Sequence, residues 1–429
     1  GQGAFGRDGA PAAAPGTAGG AGRWDTTPLG MLKQLCDRLV ATARPDRFAH
    51  LPRTWIGPLA SAETTRPWPP GVLGYDLYTG RVGPALALAA ASRVLGDGPH
   101  RVLTTQIFST TAGILADHRY EHRSLQQAGY GGYTGLAGTL FALASAGRLL
   151  DEPGWTTAAQ EALPLVVHQV REQPDGEVPL DVIGGVAGVL SCLDAIGGPH
   201  AQAGIAELSG ILVRGVSVDG AARDALFSQS GFAHGVSGVL HALSRIHPQL
   251  PAERRPPVLA ALRLLVEQLE RFHDPAERNW FSSLATPGTF STGWCHGAAG
   301  IALALSAYAR VGGDDVRPQL DLAVSNTLRH GFGRNLTWCH GDLGNHDVLS
   351  GVAAADGESR HGALRAELDG IERRWLQPEV FVRKLTDMSS RYAHTNSAMV
   401  GTAGIVLHLV NRLDPATRVS PVALNVEVR

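Results

Sequence analysis

Two eight-residue stretches of this chain carry the same unusual set of side chains. Gly293-Trp294-Cys295-His296-Gly297-Ala298-Ala299-Gly300 returns, with changes, as Thr337-Trp338-Cys339-His340-Gly341-Asp342-Leu343-Gly344. The chain has only four cysteines, and two of them hold the same place in these two copies. Packing alone gives little reason for a thiol and an imidazole to recur side by side. Thiolates with a borderline imidazole nitrogen make a natural zinc set, and three protein ligands leave a fourth position open to a substrate. The set read from the duplication is Cys295, Cys339 and His340, for one zinc ion. His296 is expected to flank the site, with ligation as the alternative. Buried structural cysteines beside a core histidine are the competing, non-chemical reading.

The elements that must position these residues show themselves as a repeat. The Gly-x-x-G step of the two stretches recurs at Gly80–Gly83, Gly135–Gly138, Gly185–Gly188 and Gly235–Gly238, then at Gly297–Gly300, Gly341–Gly344 and Gly401–Gly404. A fixed step at intervals of 44 to 62 residues is the mark of a repeat architecture. Nearly every copy leads into an Ala/Leu-rich run that is apolar on most faces, as in Pro84–Leu95, Thr139–Leu150 and Ile301–Ala309. Such a helix is a buried one. The sixth copy, through Asn345-His346-Asp347, is the polar exception. A second, more amphipathic helix lies between copies, for example Trp155–Arg171 and Pro257–Phe272, and a first helix is expected over Met31–Thr42. Seven inner helices bury one another best in a closed ring, so the fold expected is all-α, an α/α toroid of about seven inner and seven outer helices. An open helical stack is the structural alternative. Strand signals are weak. The glycines are expected to allow tight helix entrances and close approach of inner helices.

If the units are equivalent, the residue before each first glycine lies at one rim of the ring. Those residues are Thr79, Thr134, Gly184, His234, His296, His340 and Val400. Helix N-termini gather at the same rim and favour anions and thiolates. His234 has Ala233 where the later units have cysteine, and a rim histidine without a thiol neighbour suits acid–base work. Asp181, in Leu180-Asp181-Val182-Ile183-Gly184-Gly185, puts a carboxylate in an otherwise apolar approach. It is read either as an acid–base partner or as a structural aspartate capping the turn.

Composition limits the rest. Hydrophobic residues make up 44% of 429 and charged residues 18%, with a formal net charge of −2, so nothing favours nucleic acid or an anionic membrane. No apolar run is long enough to span a bilayer. Cys36 and Cys192 sit in apolar, helix-like surroundings and read as buried free thiols. Four cysteines in so long a chain are no disulfide framework, which points to a reducing cytoplasm. Residues 1–23 are Gly/Ala/Pro-rich and read as a flexible tail or linker, leaving 24–429 as a single domain. The chain starts at Gly1, which suggests a processed or excised piece.

The Trp-Cys-His-Gly segments resemble those of lanthionine cyclases of the LanC type, as do Ala233-His234-Gly235-Val236-Ser237-Gly238, Leu180–Gly188 and Met399–Ile405. The runs Gly333–Asn345, Trp55–Gly57 and Asp76–Gly80 are similar in particular to the C-terminal cyclase domain of class II lanthipeptide synthetases. The resemblance extends from about Trp24 to the C-terminus. It implies a double α-toroid with one zinc, held by Cys295, Cys339 and His340, and places the acid–base candidates on Asp181 and His234. The implied substrate is a dehydrated precursor peptide, whose cysteine thiolates add to dehydroalanine or dehydrobutyrine to close thioether rings. A dehydratase, fused or separate, would be the partner, and the cyclase is expected to be a monomer. Some members carry an arginine shortly before the first cysteine, where this chain has Ser291-Thr292-Gly293. Two other functions remain open at this point: a non-catalytic peptide-binding scaffold, and a relative that adds glutathione to dehydro residues. A zinc hydrolase is possible on the ligands alone.

Overall fold

A proline at the first or second helical position opens six of the outer helices, where its missing N–H costs nothing and its fixed φ suits the helix. They are Pro28–Thr42, Pro99–Ala116, Pro153–Arg171, Pro199–Ser217, Arg255–Glu270 and Arg317–His330, and Glu358–Trp375 is the seventh outer helix among the described residues. This chemistry puts the helix starts ahead of the sequence expectation: Pro153 instead of Trp155, Arg255 instead of Pro257, and Pro28 instead of Met31. Thr27 caps the first of them, its hydroxyl accepting the Gly30 N–H at 3.1 Å. The outer helices are amphipathic as read. Pro153–Arg171 buries Trp155, Ala159, Ala162, Leu163, Val166 and Val170, a stripe at helical spacing.

The structure is a computed structural model and describes residues 25–48, 50–58, 70–117, 129–174, 176–311, 315–355, 358–375 and 395–428. The Gly/Ala/Pro-rich segment 1–23 lies outside the described residues. Among the described residues seven inner helices follow the seven Gly-x-x-G steps: Val82–Leu95, Leu136–Leu150, Val186–Ile196, Val236–Ile246, Ala298–Ala309, Asp342–Ala355 and Thr402–Leu413. They are buried almost all round; in the first, every residue from Val82 to Ser92 is buried. Each packs on the next, and the last packs on the first, which closes the ring. The toroid is therefore the architecture, and the open stack is not. Leu39, Trp55, Phe108, Phe141 and Trp155 join the apolar layer between the two rings of helices.

The inner helices start earlier than read because the step lies inside the helix. In five of the units the first glycine is the N-cap in extended conformation, as at Gly135 with φ −136° and ψ −170°, and the second is already in the first turn. Neither needs a left-handed backbone. The requirement is steric: the loop folds back over its own helix entrance. A Cβ on Gly135 would lie 2.1 Å from the Gly131 nitrogen, and one on Gly344 only 1.8 Å from the Trp338 carbonyl oxygen. Close approach between units adds to this, since a Cβ on Gly300 would lie 2.6 Å from that of Phe232 in the preceding unit.

Among the described residues three short antiparallel ribbons are present that the sequence pattern did not reveal. They pair Ile56–Pro58 with Pro70–Val72, His273–Asp274 with Asn279–Trp280, and Thr417–Ser420 with Asn425–Val428. The third matters most. Val422 and Leu424, in its turn, are buried; the Tyr133 hydroxyl donates to the Pro421 carbonyl at 2.7 Å, and Arg245 donates to that of Ala423 at 2.6 Å. The ribbon also explains the polar sixth helix. Asp347 accepts from Arg418 at 3.4 Å and from the Ser420 hydroxyl. Asp342 holds the amides of Gly333 and Arg334 at 3.1 and 3.0 Å, while the Asn345 amide donates to the Gly331 carbonyl at 2.7 Å. These polar groups brace the loop leading to Trp338-Cys339-His340. No helix among the described residues is long and apolar enough to cross a membrane.

Candidate active site

A belt of backbone hydrogen bonds brings the rim residues together. The residue two before each first glycine is Tyr78, Tyr133, Ile183, Ala233, Cys295, Cys339 and Met399. Tyr78 N–H donates to the Tyr133 carbonyl at 3.0 Å, Tyr133 to Ile183 at 3.0 Å, and Val182 to Ala233 at 3.3 Å. Ala233 then donates to Cys295 at 2.9 Å, Cys295 to Cys339 at 3.1 Å, and Cys339 to Met399 at 3.0 Å. The belt sets the two cysteines side by side, as the belt residues of adjacent units.

Side chains complete the juxtaposition. One ligand atom each from Cys295, Cys339 and His340 all lie within 4.8 Å of one another, and both thiols are buried. A tetrahedral zinc with bonds of about 2.0–2.3 Å needs donors about 3.5–3.8 Å apart, so small rotamer adjustments bring the three to an ion. The charge state fits as well. Cys339 is held well below the ordinary thiol range, first by the S–H that Cys295 donates to it and then, against burial, by His340 and Tyr78. Cys295 is raised in turn by the same sulfur–sulfur contact and by burial. The pair thus carries one negative charge readily and resists a second, and a bound cation is what would let both ionise.

Next along the rim stands His234. Its Nδ1 meets Asp181 Oδ2 at 2.7 Å, and its imidazole is 44% exposed. This hydrogen bond, with the aspartate's charge, raises the His234 pKa above 6.5 despite partial burial, and the Cys339 charge reaches far enough to add to the rise. Asp181 is a turn cap too: its Oδ1 accepts the Gly184 and Gly185 amides at 2.8 and 2.9 Å. The turn cap read as one alternative for it is thus made by one oxygen, while the other meets the imidazole. Burial and then the Asp181 charge push Tyr130 up to about 12, so this phenol stays neutral beside the pair.

His296 is not in the three-donor group. It stacks on His234 with ring centroids 6.1 Å apart and an interplanar angle of 27°, and burial lowers its pKa. Of the Ser291-Thr292-Gly293 stretch, Thr292 gives its hydroxyl to the His330 carbonyl at 3.3 Å, and a Cβ on Gly293 would press on the His340 Cα at 2.9 Å. The stretch brings no cation to the site. Cys36 and Cys192 are buried free thiols, pushed up to about 12 by burial for Cys36 and higher still for Cys192.

One residue at the site escaped the sequence reading. The Tyr78 hydroxyl donates to Cys339 Sγ at 2.9 Å. The signal that could have found it is positional, because Tyr78 holds in unit one the place that cysteine holds in units five and six. A groove of about 550 Å3, lined by Pro179, Leu180, Ala222 and Leu226, opens directly on Asp181 and His234.

The structure of a nisin cyclase superposes with a TM-score of 0.64 and 17% sequence identity, over 82% of this chain and 91% of that one, which shows a shared fold. A possible member of the GH105 family from Salmonella enterica subsp. enterica serovar Paratyphi A gives a TM-score of 0.23 at 13% identity, over 70% of this chain and 81% of that one, and carries no argument. A family model described as lanthionine synthetase C-like protein matches residues 71–424, a span that holds all seven glycine steps and every residue of the rim. With that match over most of its length, the chain belongs to the lanthionine synthetase C-like family.

Proposed function

We propose that this protein is a zinc-dependent lanthipeptide cyclase that closes thioether rings in a dehydrated precursor peptide. The observation that supports it most is the shared rim: a Cys295/Cys339/His340 donor set stands beside a histidine whose proton affinity a carboxylate has raised. Cys295, Cys339 and His340 would hold the ion. Zinc bound there supplies the charge that keeps an incoming peptide thiol as a thiolate at neutral pH.

The remaining steps belong to the chain's own residues. Ring closure joins the peptide sulfur to the β-carbon of the dehydro residue, and the electron pair of the broken π-bond moves onto the adjacent amide as an enolate. One proton leaves sulfur and one must arrive at the α-carbon, so the overall proton count is unchanged. His234 suits that delivery. Asp181 accepts its Nδ1–H, which fixes the ring and directs Nε2–H outward, and the raised pKa keeps the imidazolium populated near neutrality. The Asp181 carboxylate stabilises the cation before the proton leaves. The groove beside the pair offers small apolar walls to the peptide residues that flank the reacting one.

A dehydratase, fused or separate, must supply the dehydro residues. The test is mass spectrometry of a dehydrated peptide after incubation, with thiol alkylation to count open cysteines. Closed rings that vanish in Cys339→Ala support the proposal. Rings that still close at the wild-type rate in that variant overturn it. Adding glutathione to the same assay separates internal closure from transfer of a free thiol.

A further inference from the structure

Tyr78 sits on one of the most firmly held segments of the rim. Two residues earlier, Asp76 Oδ1 accepts the Thr79 and Gly80 amides at 2.7 and 3.0 Å. Three residues later, the buried Arg81 guanidinium pairs with Asp46 at 2.8 Å and donates to the Pro52 carbonyl at 2.8 Å. The Tyr78 backbone itself is fixed in the belt. A side chain carried by such a segment does not meet a sulfur by chance rotation. It does so across 261 residues of sequence, skipping unit seven, whose belt residue Met399 is buried and offers no donor.

A thiolate sulfur has more lone pairs than a metal bond uses. A hydroxyl donor on one of the others fixes the sulfur's direction and draws off part of its charge. Cys339 adjoins His340 in sequence, and its sulfur lies within 4.8 Å of the ligand atoms of both Cys295 and His340. Tyr78 acts on it from the side of the rim opposite to His234 and Asp181.

We propose that Tyr78 is a positioning residue of the metal centre, which aims Cys339 Sγ at the point shared by Cys295 and His340 and offsets part of its negative charge. The inference rests on the metal reading of the previous section and is tested without turnover. Zinc and cobalt(II) affinities of the wild type and Tyr78→Phe are measured by competition with a chromophoric chelator, and the cobalt forms are compared by absorption. Phenylalanine keeps the ring and removes one oxygen. Affinity should fall about tenfold to a hundredfold, and the thiolate-to-cobalt charge-transfer band should move to longer wavelength, because sulfur lone pairs rise in energy when a donor leaves. Met399→Leu, at the same belt position without a donor, should keep both the affinity and the band. Matched melting temperatures of the metal-free proteins separate this effect from general loosening. Wild-type affinity and an unmoved band in Tyr78→Phe overturn the role of Tyr78 alone. A wild-type protein that binds neither ion overturns it together with the metal centre.

Discussion

Asp181 divides its carboxylate between the turn that precedes an inner helix and the imidazole of His234 in the next unit. Oδ1 holds the amides of Gly184 and Gly185, and Oδ2 meets His234 Nδ1 at 2.7 Å. Asp76 caps the corresponding turn of unit one in the same way, but Thr134 stands where a histidine would be needed in unit two. The cap is therefore a device of the fold, and the contact with imidazole is particular to units three and four. Asp181→Asn keeps an oxygen for the turn and takes the charge from His234. The protein should fold and bind metal as before, while ring closure slows about a hundredfold to ten-thousandfold. A loss of less than about threefold would remove Asp181 and His234 from the proton transfer.

The same pair sets a pH dependence. His234 is raised above its ordinary 6.5, chiefly by the hydrogen bond to Asp181. A histidine raised on folding contributes stability that is complete below the ordinary value and lost as pH climbs through the raised one. Screening keeps that contribution small, because the ring is 44% exposed. Activity should follow the same direction if the imidazolium delivers the proton. The alkaline limb of kcat/KM should lie above the ordinary histidine range in the wild type and move to lower pH in Asp181→Asn. A limb that stays in place would belong to another group.

Chelation should separate the fold from the chemistry. The belt and the buried inner helices do not depend on the three donors, so the metal-free protein should keep its helical circular dichroism while ring closure stops. A ligand that binds only the native state at a thousandfold excess over Kd adds about 4 kcal/mol, so zinc should raise the melting temperature measurably. Affinity should weaken on acidification, as protons compete for the thiolates and for His340. Full ring closure after exhaustive dialysis against chelator would show that the donor set is not used in the reaction.

The ring was legible in the sequence because a Gly-x-x-G step followed by a helix apolar all round has few ways to bury itself. The donor set was legible because duplication set Cys295 and Cys339 in register. Helix starts were missed where prolines and glycine caps act ahead of the apolar run, as at Pro153 and Gly135. Asp181 was open to both an acid–base and a capping reading, but that one carboxylate makes both contacts could not be read, since His234 lies 53 residues on and meets it only through the ring. Tyr78 was hidden for a different reason. Tyr133 shares its belt position yet spends its hydroxyl on the Pro421 and Val422 carbonyls, at 2.7 and 3.2 Å. Position along the rim decides what a tyrosine there can reach.

His296 separates ligation from support. It lies beside Cys295 in sequence but stacks on His234 and stands outside the three-donor group. His296→Asn should retain one metal per chain with little change in affinity, and slow ring closure through the lost support of the His234 ring. A loss of metal comparable to that in His340→Asn would make His296 a ligand.

The steric role of the second glycine gives the sharpest test of how the fold positions the site. A Cβ on Gly344 would lie 1.8 Å from the Trp338 carbonyl oxygen and 2.7 Å from its carbon, with backbone on both sides of the conflict. Nothing flexible can give way. Trp338 is also tied to the last unit, its indole N–H donating to the Gly404 carbonyl at 2.7 Å. Gly344→Ala must therefore displace Trp338-Cys339-His340 or the start of the sixth inner helix. Overpacking of this kind costs about 1–3 kcal/mol or more, and metal affinity should fall with stability. Gly362→Ala, in the outer helix Glu358–Trp375 with open space around it, provides the contrast. There the substitution should be neutral or stabilise by up to about 1 kcal/mol through helix propensity. Chemical denaturation with metal titration measures both variants. Equal stability and metal binding in the two would mean that the Gly-x-x-G step does not fix the position of Cys339.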